Sequence, residues 1–338
     1  MAAAVGVPSS YAGVLGQDQA PIAAEQPRVV FTIESAQITE SSSLVISTRH
    51  PDLAYTSNDS GDSATVYVLD KRSGALIGQT SLAGVEANDI EALAAGADGS
   101  LVVADIGNNH GDRAQVMIYR IDQPRRGSHS VIPESVSVTY ADGQHDAESI
   151  LYDAEAGRVF VASKDFEGAR IFRSPPDVFA SPEAELRPIA DVEAPGLATD
   201  ATFVPGRELV VIRTYFAAVV YRYPSWQQLD SIELPVQRQG ESVAAPPDGT
   251  TLWVGSEGRN SQVLAVDLPE LAGEIPTVRP PGSEGGGAGV DRTSSADEAQ
   301  TDDQDRLTSL ARLVLLIAIP VLMLLGLVGA VAWRRHQN

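Results

Sequence analysis

The sequence contains no cysteine among its 338 residues. Disulfide frameworks, thiolate zinc or iron–sulfur sites and a cysteine nucleophile are therefore excluded. The absence leaves the cellular compartment open, because oxidising and reducing locations both accommodate such chains. Any bound metal would have to be held by oxygen atoms or by histidine, of which the chain has five.

Basic residues are also scarce. There are 24 lysines and arginines against 45 aspartates and glutamates, which gives a formal net charge of −21, and Lys71 and Lys164 are the only lysines. A protein that neutralises many phosphates of DNA or RNA needs a basic surface. Nucleic acid is therefore not an expected partner.

The pattern of an amphipathic helix is missing between residues 28 and 268. This part of the chain has short apolar runs, rich in β-branched and aromatic residues and separated by turn residues, which indicates an all-β fold. One set of runs begins at residues 53, 101, 159, 209 and 252, and further strand-like runs precede and follow each of them. Repeats of about 40–50 residues with four antiparallel strands each are typical of β-propellers.

The last repeat has only three strand-like runs, whereas Arg28–Ile33 (RVVFTI) belongs to no repeat of its own. We therefore predict a five-bladed β-propeller in which this N-terminal strand completes the last blade and closes the ring. Six blades would result if a degenerate repeat is present. A β-sandwich with additional hairpins is the alternative, but it does not explain the unassigned first strand.

The C-terminal part of the chain differs in composition. Residues 313–332 (LVLLIAIPVLMLLGLVGAVA) are 20 consecutive uncharged residues, about the length that a helix needs to cross a bilayer. The sequence predicts five segments: a leader or disordered segment (1–27), a β-propeller (28–272), a disordered acidic stalk rich in Gly, Pro and Ser (273–306), a transmembrane helix (307–333) and a short cytoplasmic tail (334–338).

This organisation predicts a single-pass membrane protein whose propeller lies outside the cytoplasm. The membrane would be contacted through the C-terminal helix. The first 20 residues lack the basic start and the strong apolar core of an export signal. The alternative is therefore a tail-anchored protein with a cytoplasmic propeller.

The predicted chemistry lies on one face of the propeller. Strand direction alternates within a blade, so the start of the first strand and the loop between the second and third strands lie on the same face. Because first strands line the central channel, we expect Glu40, Glu91, Glu148 and Glu241 to surround its opening. Like charges placed so close need a cation, a proton or arginines, and oxygen donors of this kind suit calcium. The alternative role for these acids is a structural latch between blades.

The candidate residues follow from this arrangement. The candidate metal ligands are Asp89, Glu91, Asp105, Asp146, Glu148 and Glu241. The candidate catalytic residues are Glu91 and Glu148, since paired carboxylates perform glycoside hydrolysis, and His145, as a base beside them. The candidate ligand-binding residues in the loops of this face are Lys164, Arg213, Tyr215, Asn108, Asn109 and Arg259. The structural alternatives are that Asn108 closes a turn, that His145 is a bystander and that the basic residues pair with acids.

Several segments resemble a known group of proteins. The motifs are NDIEALA from Asn88, VADIGNNHGDR from Val103, HDAESILYDAEAGRVFVASK from His145 and QGESVAAPPDGTTLWVGSEG from Gln239. Together they resemble exported actinobacterial propeller proteins of the phytase-like or esterase-like group. The resemblance implies a propeller fold and a cell-envelope setting. In calcium-dependent propeller phytases, channel carboxylates hold calcium ions that bridge to substrate phosphates, and the matching positions are the six metal candidates given above. Thr202 stands where other repeats place an acid.

From these observations we expect a membrane-tethered, extracytoplasmic β-propeller that acts as a ligand-binding or sensing module at the cell envelope. It would carry calcium, and its envelope ligand would be either an anion held through that calcium or a protein. The alternatives are a calcium-dependent phosphoester hydrolase, in which Arg213 or Lys164 contacts the phosphate, and a glycoside hydrolase. The sequence has no nucleophile elbow, zinc-protease motif, P-loop or dinucleotide-binding fingerprint, so whether the protein is an enzyme stays open.

Overall fold

The computed structural model describes residues 27–271, with the exception of residues 60 and 62. The predicted leader up to residue 26, the stalk, the transmembrane helix and the cytoplasmic tail lie outside the described residues. Within the described part of the chain, none of the helices has both the length and the apolar character that crossing a bilayer requires.

The described residues form 21 strands and one short 3-10 helix, Val178–Ala180. The strands in chain order are β1 (Arg28–Ile33), β2 (Val45–Ile46), β3 (Leu53–Thr56), β4 (Thr65–Asp70), β5 (Leu76–Leu82), β6 (Ile90–Ala95), β7 (Ser100–Asp105), β8 (Val116–Asp122), β9 (Gly127–Val131), β10 (Glu134–Tyr140), β11 (Ala147–Asp153), β12 (Arg158–Ser163), β13 (Arg170–Arg173), β14 (Glu183–Glu193), β15 (Ala198–Val204), β16 (Leu209–Thr214), β17 (Ala217–Arg222), β18 (Gln227–Glu233), β19 (Gly240–Ala244), β20 (Thr251–Ser256) and β21 (Ser261–Asp267). The predicted all-β class is confirmed for this part of the chain.

Twenty of these strands form five four-stranded antiparallel units, which we call blades 1 to 5. Blade 1 is β2–β5, blade 2 is β6, β7, β8 and β10, blade 3 is β11–β14, blade 4 is β15–β18, and blade 5 is β19–β21 together with β1. In blade 5, β1 pairs antiparallel with β21, so that Arg28 lies opposite Ala265 and Ile33 opposite Ser261. The N-terminal strand therefore completes the last blade, as its isolated position in the sequence predicts.

The blades are arranged in a closed, propeller-like ring. Their first strands contact one another in the order β2, β6, β11, β15 and β19, and β19 in turn contacts β2. The apolar core is accordingly divided into five clusters, one between each pair of neighbouring blades. The cluster between blades 5 and 1 contains Phe31 and Ile33 of β1, so the closing strand is packed as well as hydrogen-bonded. A two-layer sandwich is excluded for the described residues.

One strand lies outside the four-strand scheme. β9 pairs in parallel with β5 and extends blade 1, although the chain leaves blade 2 to reach it. The pairing brings the two backbones so close that a Cβ atom on Gly78 would lie 2.7 Å from the carbonyl oxygen of Gly127. A second parallel pairing, between β10 and β14, joins the outer edges of blades 2 and 3.

The alternation of strand direction fixes which features share a face. All five first strands run in the same sense along the axis, so their starts surround one opening of the channel and their ends surround the other. In blade 5, β21 runs parallel to the first strand and β1 runs against it. The described chain therefore enters before β1 and leaves after β21 on the face where the first strands end.

Candidate functional site

A polar cavity of about 120 Å³ occupies the opening at the starts of the first strands. We call it the acidic pocket. Its lining residues are Ser42, Asp59, Glu91, Asn109, Glu148, Lys164, Thr199, Gln239, Glu241 and Glu257. Five of these side chains are carboxylic acids and one is a lysine, so the pocket concentrates negative charge on the channel axis.

Local irregularities in the first strands direct these acids toward the axis. The register of blades 2, 3, 4 and 5 shifts at one position, and the residues left out of the ladder there include Glu91, Glu148, Thr199 and Glu241. A β-bulge of this kind re-aims a side chain and is frequent beside functional sites. The bulges therefore place three glutamates and one threonine around the axis.

At its first strand, blade 1 contributes a serine hydroxyl to the acidic pocket in place of the expected glutamate. Ser42 lines it, whereas Glu40 is exposed and does not. In blade 4 the lining residue is Thr199, and Thr202 lies further along the strand, beside the other end of the channel. Of the four glutamates expected around the opening, Glu91, Glu148 and Glu241 line the pocket, and blades 1 and 4 contribute the hydroxyl residues Ser42 and Thr199.

Lys164 neutralises one side of the acidic pocket. Its ammonium group forms an ion pair with Glu148 and lies 5.5 Å from the centroid of the Tyr215 ring. Burial by itself lowers the pKa of Lys164, but Glu148, Tyr215 and Glu241 outweigh that effect and raise it above its usual value. Lys164 is therefore a cation at neutral pH and compensates the Glu148 side of the pocket.

Asp59 and Glu91 line the other side of the pocket, next to Asp89, which does not line it. Asp59, Asp89 and Glu91 each offer a carboxylate oxygen, and these atoms lie within 4.8 Å of one another. Glu91 is 2% exposed. Its Oε1 atom, like Oδ1 of Asp89, is buried without a hydrogen-bond partner among the described residues. Buried polar atoms are normally paired. The unpaired carboxylate oxygens of Glu91 and Asp89 could therefore accept a proton or coordinate a cation.

The pKa values of these acids reflect their burial and their mutual repulsion. Burial, followed by repulsion from Asp59 and Asp146, raises the pKa of Asp89 to about 6. Burial also raises the pKa of Glu91 far above its usual range, with Glu148, Asp59 and Asp89 adding to the effect. It raises the pKa of Glu241 to about 7 and that of Glu257 to about 8. A divalent cation would relieve the same repulsion without protonation.

Glycine at position 107 permits this crowding. A Cβ atom there would lie 2.2 Å from Oδ2 of Asp89 and 2.7 Å from Oε1 of Glu91. The Nδ2 atom of Asn109, two residues later, lies 3.5 Å from Oδ2 of Asp89. Asn109 thus donates to Asp89, and the candidate ligand atoms are carboxylate oxygens, of a type that calcium binds in sets of six to eight oxygens. The three carboxylates would supply part of the coordination of such an ion, and water or a ligand would have to supply the rest.

Two of the predicted metal ligands, Asp105 and Asp146, instead bind backbone N–H groups beside this cluster. Asp105 is fully buried, accepts the backbone N–H groups of Asn88 and Asp89 at 3.0 Å, and pairs with Arg113 at 2.8 Å. Asp146 accepts the backbone N–H of Asn108 at 2.7 Å. Neither residue lines the acidic pocket. Both hold the loop that carries Gly107 and Asn109.

His145 and Asn108 are engaged outside the acidic pocket. The two ring nitrogens of His145 lie 3.1 Å from carboxylate oxygens of Asp165 and Asp142. The side-chain oxygen of Asn108 accepts the backbone N–H groups of Asp112 and Arg113 at 3.0 Å, which closes the loop. The structure thus does not bring His145 to the carboxylate pair.

The remaining ligand-binding candidates have different positions. Arg213 is fully buried and donates to the backbone oxygens of Ser242 and Gly255 and, at 2.8 Å, to Oε1 of Gln237. Burial lowers its pKa to about 10. Arg213 therefore joins blades 4 and 5 as a latch. Arg259 is exposed and does not line the pocket. Tyr215 lies behind Lys164, and burial raises its pKa to about 12.

Asp59 and Glu257 line the acidic pocket but were not among the site residues predicted from the sequence. Both occupy loops between second and third strands, where Asp59 follows a Ser-Asn pair typical of an Asx turn. Their position on the face of the acidic pocket was the available signal. Which loop side chains turn inward depends on backbone conformation that composition does not encode.

Comparisons with known proteins identify no family. No family model and no curated protein matches the chain. Two solved structures that are similar to it are a mitotic checkpoint complex, with 15% identity over 66% of this chain and a TM-score of 0.38, and the hydrazine synthase of Kuenenia stuttgartiensis, with 13% identity over 66% of this chain and a TM-score of 0.39. The chain spans 61% and 57% of these two proteins. At such scores neither similarity supports an argument about fold or function.

Proposed function

We propose that the protein is a membrane-tethered, five-bladed propeller that binds calcium in its acidic pocket and, through that ion, a ligand at the cell envelope. The observation that carries the proposal is the cluster of Asp59, Asp89 and Glu91, in which a buried glutamate has an oxygen without a partner. The pocket opens on the face opposite to the one where the described chain enters and leaves. Calcium held there remains accessible to a ligand in solution.

Binding is favoured over hydrolysis by the positions of the basic residues. A phosphoester hydrolase would use Arg213 or Lys164 to contact the phosphate. The guanidinium of Arg213 is occupied by two backbone oxygens and Gln237, and the ammonium of Lys164 is paired with Glu148. His145 is likewise held by two aspartates outside the pocket. These contacts leave the acidic pocket equipped to bind a cation, with neither Arg213 nor Lys164 free to contact a phosphate.

Calorimetric titration of the full chain with calcium tests this proposal. We expect saturable binding by the unmodified protein. Glu91→Gln should weaken calcium binding at least tenfold, because it removes a buried carboxylate ligand. A tenfold loss of affinity corresponds to about 1.4 kcal/mol of binding free energy. Glu40→Gln provides the matched control, since Glu40 is an exposed acid on the same face that does not line the pocket.

Three outcomes would contradict the proposal. Equal affinity in Glu91→Gln and Glu40→Gln would place any calcium elsewhere, and absence of binding by the unmodified chain would remove the metal altogether. Turnover of generic phosphoesters or aryl glycosides, abolished by Glu91→Gln, would show an enzyme in place of a binding module.

A further inference from the structure

The first strands end around a second cavity, at the opposite end of the channel from the acidic pocket. Its volume is about 380 Å³, which lies within the range of about 300–1,000 Å³ that is usual for small-molecule sites. We call it the apolar mouth. Its apolar walls include Leu44, Ile46, Leu93, Leu151, Ala201 and Ala245. All five blades therefore contribute to it.

Aromatic side chains form one side of the apolar mouth. Tyr152, Phe203 and Tyr223, from blades 3 and 4, all line it. The rings of Phe203 and Tyr223 meet edge to face, with centroids 5.0 Å apart, which fixes their orientation. Aromatic faces attract cations, and groups of aromatic residues are the usual recognition element for alkylated ammonium ions.

The charged residues of the apolar mouth are acids on this same side. Asp153 and Glu155 line the cavity, and its lining within the described residues includes no lysine, arginine or histidine. Asp153 accepts the hydroxyl of Tyr223 at 2.6 Å and the backbone N–H of Glu155 at 3.0 Å, so it is held in place. Glu155 is exposed at the rim. An anionic ligand would face repulsion here, whereas a cation would be attracted.

We propose that the apolar mouth binds a compact organic cation, with its apolar body among the aliphatic walls and its alkylated ammonium group beside Phe203, Asp153 and Glu155. The site shares no residue with the acidic pocket and does not depend on calcium. It gives the protein a second ligand, recognised at the opposite end of the same channel.

Three probes that share a benzyl group test this inference: benzyltrimethylammonium, benzyl alcohol and phenylacetate. The full chain is titrated with each probe, and binding is followed by ligand-observed nuclear magnetic resonance. We expect the cation to bind most tightly, the alcohol more weakly and the anion least. An affinity for phenylacetate equal to or greater than that for the cation, or the absence of binding by all three, would overturn the proposal.

Variants locate the site. Glu155→Gln changes an exposed rim residue without altering its size. It should weaken binding of the cation by about two- to fivefold, as expected for one partly exposed charge pair, and leave the alcohol unaffected. Phe203→Leu should reduce the advantage of the cation over the alcohol.

Glu91→Gln is the control for the acidic pocket and should leave all three affinities unchanged. If Glu91→Gln weakens the cation and Glu155→Gln does not, the probe occupies the acidic pocket and the proposal is wrong. If Glu155→Gln weakens the cation while the binding of calcium is absent, the apolar mouth remains supported although the proposed function fails.

Discussion

At the scale of single residues, the sequence predicts which glutamates lie at the acidic pocket, but it does not predict the bulges that direct them inward. The recurrence of an acid near the start of each first strand predicts that Glu91, Glu148 and Glu241 share the channel opening, because equivalent positions of repeated units meet at the axis. The bulges that direct these side chains inward are register shifts. A bulge inserts one extra residue into the alternation, so the two-residue period did not show that Thr199 and not Thr202 lines the acidic pocket.

The raised carboxyl pKa values predict how stability without calcium depends on pH. The pKa values of Glu241 and Glu257 are about 7 and about 8 in the folded protein, whereas in the unfolded chain they take their ordinary value near 4.5. Between these limits the folded state binds more protons than the unfolded state, so the free energy of unfolding falls as pH rises. The stabilisation is complete below the unfolded value and is lost above about pH 8.

Thermal unfolding of the full chain in the presence of a chelator measures this effect. We expect the melting temperature to fall between about pH 5 and about pH 8, and Glu257→Gln to flatten the upper part of that decline. Calcium should reduce the dependence, because the charge of an ion in the acidic pocket favours the ionised form of the neighbouring carboxyl groups. A melting temperature that rises over the same interval would show that the buried acids are compensated in a way the structure does not contain.

At the scale of elements, strand positions are predictable where one face of the strand is buried. Runs such as Leu101–Ala104 and Val159–Ala162 alternate or are continuously apolar, and each became a second strand of a blade. β9 was not predictable. Four of its five residues are exposed, and it is held by backbone pairing to β5. A strand that buries no side chains has no hydrophobic signature in the sequence.

The closing strand is the element whose removal has the clearest expected effect. β1 buries Phe31 and Ile33 between blades 5 and 1 and supplies the outer partner of β21. Deleting residues 1–33 should lower the free energy of unfolding by on the order of 5 kcal/mol, because two large buried side chains are lost together. That is comparable with the whole stability of many domains.

Urea-induced unfolding compares this deletion with two controls. Deletion of residues 1–26, which retains β1, gives the reference chain. Val29→Ala should alter stability by less than about 0.5 kcal/mol, because Val29 is 46% exposed. If the chain without residues 1–33 unfolds at the same urea concentration as the chain without residues 1–26, the ring does not depend on its closing strand.

At the scale of the whole molecule, the number of repeats and the unassigned first strand together predict a closed ring. Five complete sets of strands require twenty, and the C-terminal repeat provides only three, so ring closure has to use the other end of the chain. The two cavities were predictable to different degrees. Acids mark the acidic pocket in the sequence, whereas the apolar mouth is lined by residues that look like ordinary core, and only the channel geometry shows that they surround a space.

Because the chain has no cysteine, the predicted location of the propeller outside the cytoplasm can be tested by labelling a single introduced thiol. Ile132 is 88% exposed, so Ile132→Cys introduces a single accessible thiol on the surface of the ring without disturbing its core. If the propeller lies outside the cytoplasm, a membrane-impermeant maleimide should label this variant in intact cells to the same extent as in lysed cells. The unmodified chain, which has no thiol, is the control for background. Labelling that appears only after lysis would establish the tail-anchored alternative, and the acidic pocket would then have to recognise a cytoplasmic ligand.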